Sequence, residues 1–133
     1  MLSLKDIREY VDSLGIAENV YIGKMDNKKP KSIGVYNRPA SGPPRTTLGG
    51  PEYGTYRIKP VSLLIHWNKN KDEAEKAAFS LFEQMEGISG ININNTDVRY
   101  IQLQVPEPQD VGTDDAGIYE YVIWLDFIYN KEE

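Results

Sequence analysis

The chain contains no cysteine. Disulfide bonds, thiolate metal sites and a cysteine nucleophile are therefore excluded. The absence fits a reducing cytoplasm. Histidine occurs once, at His66, between Ile65 and Trp67 in the most apolar stretch. No serine, cysteine or paired carboxylate is placed nearby in sequence to serve with it, so His66 is expected to be a structural residue, hydrogen-bonded or at the sheet edge. Long apolar runs are also missing, and none approaches the ~20 residues of a membrane helix. The opening "MLSLKDIREY" carries charges every few residues, unlike a signal peptide. A soluble protein made in a cytosol is expected. Basic residues are in the minority, with 15 Lys+Arg against 20 Asp+Glu and a net charge of −5. Bulk attraction to nucleic acid or anionic membrane is not expected. "GVYNRPASG" lacks the GxGxxG spacing and no helix follows it, so a phosphate cradle is unsupported. Phenylalanine is scarce, at 3 against 9 tyrosines. Tyrosine buries its ring while its hydroxyl reaches water, which suits half-exposed sheets and interfaces.

What is present suffices for one folded domain spanning residues 1–133, with 40% hydrophobic and 11% aromatic residues. Leu4, Ile7, Val11 and Leu14 form one stripe at helical spacing. Ser3 and Asp6 are placed for a capping box, and Gly15 for the left-handed stop. "NVYIGKM" and "SIGVYN" read as two strands around the polar turn "MDNKKPK", and a hairpin is expected. "GTYRIKPVSLLIHW" is a strand that turns apolar on both faces from Val61 to Trp67, as a central strand would. Pro60 lacks an N–H and marks a strand start, a bulge or an unpaired position. "NKNKDEAEKAAFSLFEQMEG" is the clearest helix. Asn70 caps it, Glu73 takes the capping-box position, and Gly87 ends it. Ala74, Ala77, Ala78, Leu81, Phe82 and Met85 make its apolar face.

"ISGININNTD" reads as a short strand or turn, "VRYIQLQVPEP" as a strand closed by two prolines, and "QDVGTDDAG" as a loop. The acids Asp110, Asp114 and Asp115 miss the spacing of a calcium loop and fit a turn. "IYEYVIWLDFIYN" is a long last strand whose residues Tyr119, Tyr121, Ile123, Leu125, Phe127 and Tyr129 form a core face. The expected fold is α+β: a mostly antiparallel sheet of four to five strands, one main helix on a face, and a short N-terminal helix.

No catalytic, cofactor or metal constellation emerges, and an enzyme is not expected. Interaction surface is the alternative. The other face of the last strand carries Ile118, Glu120, Val122, Trp124, Asp126 and Ile128, mixing charge with large hydrophobes. Either the short first helix covers part of it, or a neighbouring copy does. The candidate contact residues on this face are Glu120, Val122, Trp124 and Ile128. Residues 37–54 form a long Pro/Gly-rich loop, beginning "NRPASGPPRTTLGG". Its Arg38 and Arg45 are the remaining candidates, able to reach acids on a neighbour or DNA in a lumen. The loop is expected to be mobile in the free protein and ordered on assembly.

Three stretches carry a family resemblance: "NVYIGKMDNKKPKSIGVYNR" with "SGPPRTTLGG", "VSLLIHWNKNKDEAEKAAFSLFEQM", and "VPEPQDVGTDDAGIYEYVIWLDFIY". In the last, a turn with Asp114, Asp115 and Gly117 precedes an aromatic strand with Tyr119, Glu120 and Tyr121. The chain resembles the tail terminator proteins of long-tailed bacteriophages, also labelled phage minor capsid proteins. The resemblance implies a small α+β structural protein of the virion, assembled as a ring, commonly a hexamer, on the head-proximal end of the tail tube. Such a ring stops tube polymerisation and offers a surface to the head. The implied partners are further copies of itself, the major tail tube protein and the head connector or completion protein. DNA would be met only transiently through a lumen. Neither membrane, cofactor nor small-molecule substrate is implied, and assembly would take place in the bacterial host cytoplasm. A head-completion or connector protein of the same particle is the alternative, and a bacterial binding module or small enzyme is the reading from another class.

Overall fold

The structure, a computed structural model, describes residues 1–24, 28–39 and 56–130. The first helix, α1 (Leu4–Ser13), starts where the sequence predicts. The Ser3 hydroxyl accepts the Asp6 N–H at 3.1 Å, and the Asp6 carboxylate accepts the Ser3 N–H at 3.0 Å. Ile7 and Val11 are fully buried, and Gly15 takes φ +71° just past the helix end. Asn70 caps the second helix, α2 (Lys71–Met85), by accepting the Glu73 N–H at 3.1 Å. The capping box does not close. The Glu73 carboxylate instead accepts the side-chain amide of Asn68 at 2.8 Å. All six residues of the predicted apolar face are buried.

Seven strands form one sheet: β1 (Asn19–Ile22), β2 (Ser32–Asn37), β3 (Tyr56–His66), β4 (Ser89–Ile93), β5 (Thr96–Leu103), β6 (Gln109–Thr113) and β7 (Tyr119–Asn130). Their order is β1-β2-β3-β7-β5-β4, with β6 also on β7. The expectation of a mostly antiparallel sheet of four to five strands is corrected in number, and one pairing is parallel. β1 and β2 run parallel, with Asn19 opposite Ser32, and are not a hairpin. The described end of the intervening segment, just before β2, lies beside the start of β1. There the Glu18 N–H donates to the Lys31 carbonyl at 2.9 Å, and Lys31 adopts φ +54°.

The last strand in sequence lies in the middle of the sheet. β3 pairs with β7 along its whole length, from Tyr56–Asn130 to His66–Glu120. On the other side, β5 covers Leu125–Tyr129 and β6 covers Tyr119–Val122. β5 and β6 are thus one strand interrupted at 104–108, and the segment read as a loop from Gln109 supplies the second half. Alternation cannot announce β6, because all five of its residues are exposed. Pro106 and Pro108 break the ladder between the halves. Pro60 lies inside β3, opposite Asp126 of β7, and its missing N–H falls on the side of β2. The Arg38 N–H donates to its carbonyl at 3.3 Å, and the return bond of an antiparallel pair is unavailable because proline has no N–H. β2 stops at Asn37, beside this point.

Both helices lie on the same side of the sheet. Their buried residues join one cluster with Ile33, Val35, Val61, Leu63, Ile65 and the odd-numbered core face of β7. Five of those six β7 positions are buried, and Tyr119 is partly buried. α1 packs against β1 and β2 and also against β4, which lie toward opposite ends of the strand order. The sheet therefore curls around α1. Polar contacts fix both edges: Arg8 donates to the Val20 carbonyl at 3.3 Å, and the Asn94 amide donates to Asp6 at 3.0 Å and Glu9 at 2.5 Å. The expectation that α1 might shield the second sheet face is overturned, because its apolar stripe is spent inside the curl.

Candidate interaction surface

The second face is built from cross-strand rows that the register fixes. Tyr36, Ser62 and Trp124 form one row across β2, β3 and β7. Gly34, Leu64, Val122 and Gln109 form the next, and Pro60, Asp126 and Gln102 flank the Trp124 row on its other side. Ile58, Ile128 and Tyr100 complete that end. Trp124 is 47% exposed and Tyr100 45%. Tyr36, Ser62, Leu64 and Val122 keep partial exposure, so no element among the described residues covers the centre of this face. Aromatic side chains with few charges around them are typical of interface cores.

The charges on this face cancel locally. Arg38 Nη2 binds Asp126 Oδ1, and the Arg38 guanidinium stands 5.9 Å from the centre of the Trp124 ring. The second Asp126 oxygen accepts the Gln104 amide at 3.0 Å, while the Gln104 N–H donates to the Trp124 carbonyl at 2.8 Å. Trp124 is therefore framed by a fixed polar network. Arg38, read from sequence as reaching for a partner, has its counterion within the chain. Among the described residues its Nε is buried without a hydrogen-bond acceptor. Arg45 lies outside the described residues, as does most of the 37–54 loop. Val122 is half-buried beside Trp124. Ile128 is only 3% exposed, which gives it a packing role within the chain.

Glu120 belongs to a second cluster at the end of the sheet, which sequence reasoning did not assemble. Ser32, His66 and Glu120 form one cross-strand row. His66 Nδ1 lies 2.9 Å from Glu120 Oε2, and Nε2 lies 3.8 Å from Asp114 Oδ2. The row has the composition of a serine–histidine–carboxylate relay. However, Ser32 is fully buried and its hydroxyl donates to the Lys29 carbonyl at 2.9 Å. Nucleophilic attack needs an accessible and activated hydroxyl. The geometry instead ties β3, β7 and the 114–118 turn together.

Asp114 shapes that turn. Its carboxylate accepts the N–H groups of Ile118 at 3.0 Å and Ala116 at 2.9 Å. These bonds, led by Ile118, hold its carboxyl below the usual aspartate range against the opposing effect of burial. Asp110 sits in β6, where it accepts the Gly112 N–H at 2.8 Å and the Lys71 ammonium at 2.9 Å. Lys71 also lies 5.7 Å from the Tyr119 ring, so α2 is pinned to the β6–β7 pair. No group of three or more acids or histidines fit to hold a metal occurs among the described residues. No helix among the described residues is long and apolar enough to cross a membrane.

Comparison with known proteins gives one family. The model described as bacteriophage tail terminator protein matches residues 4–131, nearly the whole chain. No curated protein matches.

Proposed function

The chain belongs to the bacteriophage tail terminator family, and from that premise we propose that it caps the head-proximal end of the tail tube, ends tube polymerisation and helps join tail to head. The family match carries the reading. It covers both helices and all seven strands, so it concerns the whole fold and not a shared fragment. The structure supports it through the accessible Trp124 face, a surface suited to a protein partner. The working form is a ring of copies, commonly a hexamer, closed by a head-to-tail contact. Its partners are the tube protein below and the head connector above, with DNA passing through the lumen. The role is mechanical and requires no catalysis, cofactor or small-molecule substrate.

Electron microscopy of particles made without this protein tests the reading. Overlong tails are the expected result. Tails of normal length beside full but unattached heads would replace it with head completion.

A further inference from the structure

β5 and β6 run in line beside β7, but their outer sides differ. β4 covers β5 from Thr96 to Tyr100. β6 pairs with β7 and with no other strand among the described residues. All five β6 residues are exposed, and Val111 keeps 53% of its surface. An edge of this kind is a template for pairing with another chain. We infer that Asp110, with the bulge it holds, is a built-in bar to strand addition at β6. The inference is independent of the tail reading and concerns a contact that the fold prevents.

The first argument is backbone shape. The register slips by one residue between Asp110 and Gly112, so Val111 is extra against β7. Gly112 takes φ +91° there. A bulge bends and twists its strand, which makes it a poor template for a straight incoming one. The Gly112 N–H is spent within the strand, donating to Asp110 Oδ1 at 2.8 Å. The second argument is charge. Asp110 Oδ2 binds the Lys71 ammonium at 2.9 Å, and both side chains stand in water. A strand laid along β6 would bring its own side chains over this ion pair and strip its hydration, which opposes docking. The Gly112 N–H first, and then Lys71, hold the Asp110 carboxyl below the usual aspartate range. The third argument is length. Pro108 precedes the strand and the turn held by Asp114 follows it, so the open edge is five residues long. Short edges, bulges and charged side chains are the devices by which sheets avoid pairing with foreign strands.

The test compares Asp110→Val with Asp115→Val, which removes the same charge from the exposed neighbouring turn. The purified proteins are concentrated at neutral pH and aggregate is followed by light scattering. Amide hydrogen exchange then locates the contact. Asp110→Val should aggregate at a concentration about tenfold lower than Asp115→Val, with its β6 amides newly protected. Equal thresholds in the two variants, or aggregate in which the β6 amides stay unprotected, overturn the inference. If circular dichroism shows that Asp110→Val does not fold, Asp110→Asn decides, because its amide oxygen still accepts the Gly112 N–H. Asp110→Asn should aggregate at a lower concentration than Asp115→Asn. The same threshold in both overturns the inference.

Discussion

Arg38 closes over Trp124 and binds Asp126, two positions further along the same strand. A residue just past the end of β2 thereby holds the centre of β7, across the intervening β3. Arg38→Ala should remove the stack and leave the Asp126 carboxylate without its cation. The expected loss is about 1.5–3 kcal/mol, the range for a hydrogen bond to a charged group. Urea unfolding checks it. In a Trp67→Phe background, the emission of Trp124 should shift as the guanidinium leaves its face.

His66→Ala should destabilise by a similar amount, about 1–3 kcal/mol, because Glu120 loses its donor beside a buried site. Glu120→Gln should cost less, since an amide can still bond the imidazole. Equal losses in the two variants would mean that burial of the ring, and not the bond, holds this end of the sheet.

Ile7→Ala should be the more damaging kind of change. Ile7 is fully buried where α1 fills the curl, and such truncations cost about 2–5 kcal/mol. Asn94→Ala removes only exposed amide bonds to Asp6 and Glu9. Its cost should stay below about 1 kcal/mol. Denaturation midpoints of the two variants separate packing from the polar clasp.

Asp114 predicts a pH dependence. Its carboxyl is depressed in the folded chain, first by the Ile118 N–H. The stability it adds is therefore present above the unfolded aspartate pKa of about 4, and is lost as pH falls through the lower folded value. Asp114→Ala should lose stability at neutral pH, and the gap from the parent should close in acid. A gap that stays constant down to pH ~2 would show that the carboxylate charge is irrelevant to the turn.

Much of this fold is legible in the chain because local chemistry and tertiary demand agree. Ser3 with Asp6, the alanine-rich face of α2, and the alternation from Tyr119 to Tyr129 each appear where they were expected. Strand direction was not legible. "NVYI" and "SIGVYN" alternate identically whether they pair parallel or antiparallel, so alternation does not decide between them. β6 was hidden because a fully exposed edge strand has no apolar periodicity. The Ser32–His66–Glu120 row was hidden for another reason. Its members are far apart in sequence and meet only through the register of three strands. On the mixed face of β7, the burial of Ile128 and the pairing of Arg38 with Asp126 depend on neighbouring strands and could not be read from the strand alone.

The central position of β7 has a consequence for the order in which the protein forms. β3, β5 and β6 all wait for the strand that is synthesised after them. Without β7 the strand order falls into two parts, β1-β2-β3 and β5-β4, with β3 and β5 open toward the missing strand. Joining them is a non-local step, and such steps are slow. A nascent chain halted before Tyr119 therefore exposes unpaired strands to its neighbours on the ribosome. The timing of that one strand therefore separates folding from aggregation.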